Sequence, residues 1–462
     1  MNKLSELDIF KHGIMLGCGM EILFCSGLVA AGAAAYGGYM SLKVPEELQD
    51  IPQVSTARMF ASFLRGEPFN VAFETLVKPV LDKEGIASLF IAGEWMVVLS
   101  DAKQVREILA ENNRFLKRRE MDPSHDSHLL TRLIGWSNIF FSDGAEWRRH
   151  RRVANPAFKK SWPVAIFSEC VDDVIARIDA DGGVVMAQEL FQNLTLDALG
   201  KGLFSHDFES IKRGEDNHHL MVYHDVMRDV SNPLYITFPV LEKWVPSRAV
   251  SRSKADEFRL FLKRIIDERR QEVLDNNEKD DLLTMMIKAS NSDSLSLDDE
   301  DVINDLAVFF LAGHDTTANT LTTTFYYLAK HQDIQERARR EVIDALGDNS
   351  LPVPSLEKLK TLEYLNCIIK ESMRIVTTIP IIGRRVPDQE TLSSGLVIPK
   401  DTTVLLHAWA LHHDPDVFKD PYTFNPDRFL DPHGPESTHW MAFGSGSRKC
   451  KSSQPSFFTH PS

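Results

Sequence analysis

The chain has 462 residues, 43% of them hydrophobic and 26% charged, which is typical of a globular protein and excludes a disordered chain. Its formal net charge of −14 disfavours a general nucleic-acid-binding protein, because such proteins normally present a basic surface. The five cysteines are widely spaced and form no Cys-x-x-Cys pair, which favours a reducing compartment over a disulfide framework or a zinc ribbon.

An uncharged run lies near the start of the chain at residues 22–40, and its 19 residues match the length that a helix needs to cross a bilayer. A membrane anchor is the favoured interpretation. A cleaved signal peptide is an alternative, because Ala33, Ala34 and Ala35 could supply a small-residue cleavage site, and a buried core helix is another. Lysines on both sides of the run leave its orientation undefined by charge.

Strand-like runs follow at 87–92 and 95–99, and the turn between them at Gly93 and Glu94 predicts a hairpin. Helical periodicity then dominates up to about residue 375. The predicted helices are 102–112, 145–158, 163–180, 253–276, 297–330, 334–346 and 362–376. Strand and turn residues return at 379–385, 396–398 and 402–407. These elements predict a mainly α fold with a small β-sheet region.

The longest predicted helix, 297–330, would span roughly 50 Å and must cross the interior. Ser296 can cap its start, with Asp299 three residues on. Its middle reads AGHDTT at residues 312–317, and a carboxylate and hydroxyls inside a core helix need partners. Two interpretations are open: a mild kink with internally bonded threonines, or a groove in which an acid and an alcohol relay protons to a ligand.

Three other segments carry candidate functional residues. Trp147 and Arg151 lie four residues apart on a predicted helix and therefore share a face, although a basic surface helix would look similar. The segment ESMR at 371–374 holds a Glu/Arg pair that is common on solvated helices, and FNPDRF follows at 424–429. Near the end, FGSGSRKC at 443–450 sets one cysteine in a glycine-containing loop; taken alone, it could be an unremarkable thiol.

In this order, the motifs resemble those of the cytochrome P450 family of haem-thiolate monooxygenases, and the resemblance covers roughly residues 45–452. The resemblance implies the cytochrome P450 fold and haem b as the cofactor. AGHDTT is similar to the oxygen-activating motif of the family, and FGSGSRKC is similar to its cysteine loop. Cys450 would bind the haem iron as a thiolate, which favours cleavage of the O–O bond of dioxygen.

The resemblance also implies the roles of the other site residues. Asp315 and Thr316 would deliver protons, and the glycines of the cysteine loop would direct N–H groups at the sulfur. Residues implied to contact the cofactor are Trp147, Arg151, Ala312, Arg384 (preferred over Arg385), Phe443, which would shield the sulfur, and Arg448. The guanidinium groups suit the haem propionates. Glu371, Arg374 and Arg428 would form a buried triad, which requires that every charge is paired.

The function implied is insertion of one oxygen atom from O2 into a lipophilic small molecule, with electrons from an NADPH-dependent flavin reductase. Basic segments at 148–152 and 448–451 would dock an acidic flavin domain. The implied location is the endoplasmic reticulum membrane, with a single-pass anchor and a cytosolic catalytic domain. The alternatives are a reductase-independent haem-thiolate isomerase or peroxygenase, and a truncated, haem-free or inactive member of the family.

The chain departs from the family pattern after the cysteine. Ser452 stands where a glycine is expected, and residues 453–462 show no helical pattern, so we expect the C-terminal helix and hairpin of the family to be missing. The sequence therefore predicts a membrane anchor at 1–44, a haem-thiolate monooxygenase domain at 45–452 and an atypical tail at 453–462.

Overall fold

The computed structural model describes residues 44–67, 69–91, 94–117, 128–159, 163–232, 234–235, 239–277, 279–290, 297–347 and 353–451. The run predicted to be a membrane anchor and the predicted tail at 453–462 lie outside these ranges. Among the described residues, none of the helices combines the length and the apolar character that a bilayer crossing requires. The chain forms two compact units, one ending at Val98 and the other beginning at Leu99.

The part of the first unit that the structure describes contains three α-helices and the two strands of the predicted hairpin, whose turn residue Gly93 lies outside the described residues. Its helices are α1 (Thr56–Leu64), α2 (Phe69–Ala72) and α3 (Lys78–Glu84), with a π-helical turn at Phe73–Val77 between the last two. Its strands, β1 (Ile86–Ile91) and β2 (Glu94–Leu99), are neighbours, which confirms the two predicted strands. The Ser55 hydroxyl accepts a hydrogen bond from the Arg58 N–H and so caps α1.

The second unit is mostly helical. Its helices are α4 (Ala102–Ala110), α5 (Leu129–Ile134), α6 (Gly144–Ala154), α7 (Val164–Ala180), α8 (Ala187–Phe204), α9 (Ser210–Arg213), α10 (His218–Val230), α11 (Ser247–Leu274), α12 (Leu282–Ser290), α13 (Asp299–Lys330), α14 (Gln332–Leu346), α15 (Leu356–Lys360), α16 (Glu363–Ile375), α17 (Ala408–His412) and α18 (Pro435–His439). All the predicted helices are present, with shifted ends. The mainly α fold class is confirmed.

Short strands complete the second unit. They are β3 (Leu116–Lys117), β4 (Ile382–Val386), β5 (Glu390–Thr391), β6 (Val397–Ile398) and β7 (Thr402–Leu406). β4 pairs antiparallel with both β3 and β7, and Arg384 stands opposite Lys117 on one side and Val404 on the other. β5 and β6 form a separate antiparallel pair. Because side chains alternate along a strand, Arg384 is buried whereas Arg385 is exposed.

The central helix α13 starts two positions later than the sequence indicates. Asp298 is its N-cap: its carboxylate accepts from the Asp301 N–H at 2.7 Å, and the Asp301 carboxylate accepts from the Asp298 N–H at 3.3 Å. The predicted cap with Asp299 as third residue is therefore wrong. Asp298 and Asp301 satisfy each other's backbone N–H groups reciprocally, and both carboxylates favour the positive end of the helix dipole.

The core of the second unit lies around α13. Residues 302–310 of this helix are all buried, and their apolar side chains belong to one cluster with residues of α5, α8, α10, α11 and α12. α8 approaches α13 closely at Gly313, where an added Cβ would lie 2.6 Å from Leu199 Cδ1. Gly313 therefore permits close helix packing, and α13 continues from Asp299 to Lys330 without interruption.

Candidate functional site

The loop that carries Cys450 is shaped by glycine. A 3-10 turn occupies Gly446–Arg448, and the Cys450 N–H donates to the Phe443 carbonyl at 3.0 Å. Gly446 has a φ of +72°, and a Cβ there would lie 2.1 Å from the Leu109 carbonyl oxygen. Only glycine fits this position, since both the backbone conformation and the space exclude a side chain.

Helix α6 supports this loop from one side. The Arg151 guanidinium donates through Nη2 to the Lys449 carbonyl at 2.9 Å and to the Ser447 carbonyl at 3.4 Å. Burial lowers the pKa of Arg151, and the nearby Cys450 opposes this shift. Cys450 itself is exposed. Arg151 and the cysteine that the motif singled out are therefore brought together.

A second arginine of the loop is held by the start of α6. Arg448 Nη2 donates to Asp143 Oδ1 at 2.6 Å and to the Ser142 carbonyl at 2.7 Å. Its guanidinium carbon lies 4.5 Å from the centre of the Trp147 ring, within the range of a cation–π contact. Asp143 was not singled out in the sequence, although its position directly before a predicted helix could have indicated a role.

Arg384 approaches the same place from β4. Its side chain is almost completely buried, and its Nη1 donates to the carbonyl of the neighbouring Gly383 at 2.8 Å. Burial lowers the pKa of both Arg384 and Arg448 to about 10, and for Arg384 the positive charge of Arg448 acts in the same direction. The exposed Arg385 instead contacts Asp401 at 3.1 Å, so the geometry favours Arg384 of the two.

The donors in this region fit the carboxylates of a haem. Arg384 Nε and Arg448 Nη1 are buried and have no hydrogen-bond partner among the described residues. Asp143 is the carboxylate that acts on both arginines, so the buried positive charge exceeds the negative. Buried charges of one sign are costly unless they are compensated. Two propionates beside a cysteine would supply that compensation.

The predicted triad is assembled in the interior. Arg374 donates to both carboxylate oxygens of Glu371, at 2.7 and 2.9 Å, and Arg428 Nε lies 3.4 Å from Glu371 Oε1. Glu371 and Arg374 are fully buried. Arg374 also donates to the His412 and Pro421 carbonyls, both at 2.8 Å, so the network ties α16 to the segment that contains Arg428.

His412 connects this network to the segment that directly precedes the cysteine loop. Its Nε2 accepts from the Met441 N–H at 3.0 Å, which leaves Nδ1 protonated to donate to the Thr377 hydroxyl at 2.9 Å. Thr377 in turn donates to the Arg374 carbonyl at 3.0 Å. Burial lowers the pKa of His412 to about 3, so the imidazole is neutral at neutral pH.

The AGHDTT residues form a second group, on α13. Ala312 and Thr317 are exposed, Thr316 is half-buried, and the Thr316 and Thr317 hydroxyls donate to the Ala312 and Gly313 carbonyls at 2.7 and 3.0 Å. The threonines are thus bonded within the helix, and α13 is continuous through them. This more exposed, polar part of α13 follows directly after the buried residues 302–310.

Asp315 has a partner that the sequence did not indicate. Its Oδ2 accepts a hydrogen bond of 2.7 Å from the hydroxyl of Tyr223 on α10. Burial is the main cause that raises the pKa of Tyr223 well above its usual value of 10, and the Asp315 charge adds to it. No motif could have predicted this contact, because the two residues are 92 positions apart.

Comparison with known proteins identifies the family. The profile described as "Cytochrome P450" matches residues 70–451. The chain belongs to the cytochrome P450 family. The family membership that the motifs suggested is therefore confirmed, and haem b is the cofactor of this cytochrome P450.

Relatives of this cytochrome P450 include proteins of a plant and of a bacterium. It is 27% identical over 427 residues to the protein "LUTEIN DEFICIENT 5, chloroplastic" of Arabidopsis thaliana, covering 87% of this chain and 69% of the relative. It is 30% identical over 355 residues to a cyclooctat-9-en-7-ol 5-monooxygenase of Streptomyces melanosporofaciens, covering 75% and 73%. Monooxygenases are thus among its homologues.

A solved structure supports the fold. The haem domain of cytochrome P450DA superposes with a TM-score of 0.72 at 23% sequence identity and covers 88% of each chain. The cytochrome P450 fold predicted from the sequence is therefore confirmed.

Proposed function

We propose that this cytochrome P450 is a haem-thiolate monooxygenase that inserts one oxygen atom from O2 into a lipophilic small molecule. The observation that carries the proposal is the convergence of Cys450 with the buried, incompletely bonded guanidinium groups of Arg384 and Arg448. A thiolate donor beside excess buried positive charge is suited to a dicarboxylate metal macrocycle. The proposed catalytic domain is 45–452.

In this proposal the residues of the chain hold the cofactor. Cys450 would ligate the iron, and Trp147, Arg151, Arg384 and Arg448 would contact the propionates. When bound, haem b supplies the activation of dioxygen. Phe443 would shield the sulfur from water and Ala312 would line the haem face of α13.

Proton delivery is assigned to α13. Asp315 is the acid that would supply protons, and the Thr316 hydroxyl, one residue on, would position them toward the ligand. The Thr316 hydroxyl donates to the Ala312 carbonyl, so its oxygen remains able to accept a hydrogen bond. Both residues border the face of α13 at which Ala312 is exposed.

Electrons would come from an NADPH-dependent flavin reductase. Arg148 and Arg152 are exposed one turn apart on α6, and Lys449 is exposed beside Cys450. An acidic flavin domain would be steered to these charges, with a rate that falls as salt rises. The exposed residues belong to the same helix and loop that carry the proposed haem ligands, which would keep the electron path short.

We also propose that residues 22–40 anchor the protein in the endoplasmic reticulum membrane, with the catalytic domain in the cytosol. The uncharged run of 19 residues supports this assignment. Expression of the full chain in eukaryotic cells, followed by carbonate extraction, tests it. Retention in the membrane pellet is expected, and release of a shortened chain would instead indicate a cleaved signal peptide.

The decisive experiment reconstitutes the full chain with haem, a flavin reductase and NADPH. The reduced, carbon-monoxide-bound protein should show the red-shifted Soret band of a thiolate ligand, and NADPH oxidation should yield a hydroxylated product from a panel of fatty acids, sterols and terpenoids. Cys450→Ser should lose the band. Cys170→Ser, at a buried cysteine, should keep it.

The outcomes separate the alternatives. A thiolate band with conversion only when peroxide is supplied, or with isomerised products, would indicate a peroxygenase or isomerase. A chain that folds but takes up no haem would contradict the proposal.

A further inference from the structure

Asp315 lies in a cluster of titratable side chains. The Tyr223 hydroxyl donates to one carboxylate oxygen at 2.7 Å, and His314 Nε2 lies 3.3 Å from the other. His224, next to Tyr223 on α10, stacks on His314 with ring centres 6.1 Å apart and an interplanar angle of 16°. Each oxygen of the proposed catalytic acid therefore has an ionisable neighbour.

The two imidazoles are poorly satisfied as structural groups. His314 is completely buried, and neither of its ring nitrogens makes a well-aligned hydrogen bond within the described residues; the polar groups beside the ring are the Phe310 backbone and Asp315 Oδ1, the latter 3.3 Å from Nε2. His224 is half-buried, and its Nε2 is without a hydrogen-bond partner in the described part of the chain. An unsatisfied buried polar group lowers the folding free energy that holds the native state together. A phenylalanine side chain would pack better at these positions, so the presence of histidine favours a chemical role.

The surroundings of the pair are otherwise apolar and acidic. His314 contacts the rings of Tyr223 and Phe310 at centroid distances of 5.3 and 5.5 Å. The charged groups that act on His224 are Asp225 of its own helix, Glu189 of α8 and Asp315 of α13, and all three are acidic. Acidic neighbours at the half-buried end favour uptake of a proton from solvent.

We propose that His224 and His314 form a proton inlet that replenishes Asp315, and that Tyr223 is the positioning residue that orients the Asp315 carboxylate. The inference rests on the proposed function, because it gives Asp315 its role in proton delivery. One proton enters at His224 to form an imidazolium, passes to His314 and then to Asp315. Each imidazole returns to its neutral form, and no electron moves. The ring spacing requires one bridging water between the imidazoles.

The pKa values of the two histidines and of Tyr223 give these side chains different roles. Burial lowers the pKa of His224 and of His314, against the opposing charge of Asp315, so each imidazole releases a proton readily once it has accepted one. The pKa of Tyr223 is raised well above 10, mainly by burial, so its hydroxyl keeps its proton. Tyr223 can therefore orient the carboxylate but is a poor proton source.

The test is His314→Phe in the full-length haem protein, with His206→Phe as the matched control. His206 lies half-buried among aromatic rings, with its ring centre 4.8 Å from that of Phe208 and 6.4 Å from that of Phe261, and burial lowers its pKa as it does that of His314. Both variants should bind haem, and His314→Phe should unfold at the same temperature as the wild type or higher. A drop in haem content or melting temperature would assign His314 a structural role and overturn the inlet.

The catalytic readouts are the pH profile, the solvent isotope effect and the ratio of product to NADPH. In His314→Phe we expect turnover to fall about tenfold or more, because general acid–base groups contribute at least that much. The solvent isotope effect should increase, and the limb of the pH profile due to the histidines should disappear. Unchanged turnover and isotope effect in His314→Phe, or equal losses in His206→Phe, would contradict the proposal.

A spectroscopic readout does not depend on activity. The His224 imidazole, followed by NMR in the redox-inactive zinc-porphyrin form, should titrate with a higher midpoint in His314→Phe, because the second imidazole no longer opposes its charge. An unchanged midpoint would show that the two histidines are uncoupled and would contradict the proposed proton inlet. If the wild-type protein forms no product but the titration shifts, the proposed function fails while the coupling stands.

Tyr223→Phe tests positioning separately, since it removes only the hydroxyl. It should lower the ratio of product to NADPH while the titration of His224 persists, and an unchanged ratio would contradict the role assigned to Tyr223.

Discussion

Arg374 donates two hydrogen bonds to Glu371, at 2.7 and 2.9 Å, and both side chains are fully buried. The pair is stable in the interior because other donors complete the carboxylate: the Asn425 N–H reaches Glu371 Oε1 at 2.9 Å. A buried ion pair contributes little net stability over an apolar pair, but the loss of one partner leaves a charge without compensation.

Glu371→Gln should therefore lower the free energy of unfolding by about 3–5 kcal/mol, measured by urea denaturation of the haem-free protein. The matched control is Glu357→Gln. Glu357 pairs with Lys360 at the same i, i+3 spacing, but it is 80% exposed. Exposed pairs contribute about 0–1 kcal/mol, so the control should remain near the wild type. Equal losses in the two variants would contradict the importance of burial.

Gly446→Ala should disrupt the cysteine loop. The substitution places a Cβ 2.1 Å from the Leu109 carbonyl oxygen at a φ of +72°, so both strain and overlap oppose it. We expect a loss of about 3 kcal/mol in the free energy of unfolding, together with reduced haem uptake. Gly395→Ala is the control, because its φ is +83° but no atom lies within 4 Å of the added Cβ. That variant should lose about 1 kcal/mol and retain haem.

Arg384→Met should separate haem binding from folding. Arg384 is a buried cation whose Nε has no hydrogen-bond partner among the described residues, so its removal should leave the haem-free protein as stable or more stable. Haem affinity should fall by about 10–100-fold, since charge-assisted hydrogen bonds to a carboxylate are lost. Arg385→Met, at the exposed neighbour, should leave haem affinity unchanged in a competition titration with apomyoglobin. The reverse pattern would assign the propionate contact to Arg385.

Acid should destabilise the protein through His412. Its pKa falls from the usual 6.5 to about 3 in the folded protein, so the unfolded chain binds more protons between these values. The stabilising contribution is therefore complete above pH 6.5 and is lost as pH falls toward 3. Between pH 7.5 and 5.5 this residue should remove about 1.4 kcal/mol of unfolding free energy.

His412→Gln should remove that part of the pH dependence, although the variant is less stable at neutral pH because two hydrogen bonds are lost. The measurement is the difference in unfolding free energy between pH 7.5 and 5.5. His433→Gln is the control, because this imidazole is exposed in the folded protein. A wild-type slope in His412→Gln would show that other groups cause the acid sensitivity.

The sequence predicted the elements that carry strong periodicity or a motif. Helix α13 and the strand β4 were located to within a few residues, because a long apolar run and a β-rich segment are local signals. Helix α8 lies within the stretch of predicted helical periodicity, but its bounds were not predicted. It is buried on several faces, with Asn193, Thr195 and Asp197 in the interior beside apolar residues, so it shows no single apolar stripe.

The sequence by itself determined the family, the cofactor and the identity of Cys450 as the candidate ligand, because motifs are recognised from residue types and spacings that can be read directly from the sequence. The tertiary structure alone decided which charges meet. It buried Arg384 and exposed Arg385 through strand alternation, joined Asp143 to Arg448, and placed Tyr223 against Asp315. These contacts join residues 92 and 305 positions apart, and only folding brings such residues within hydrogen-bond distance.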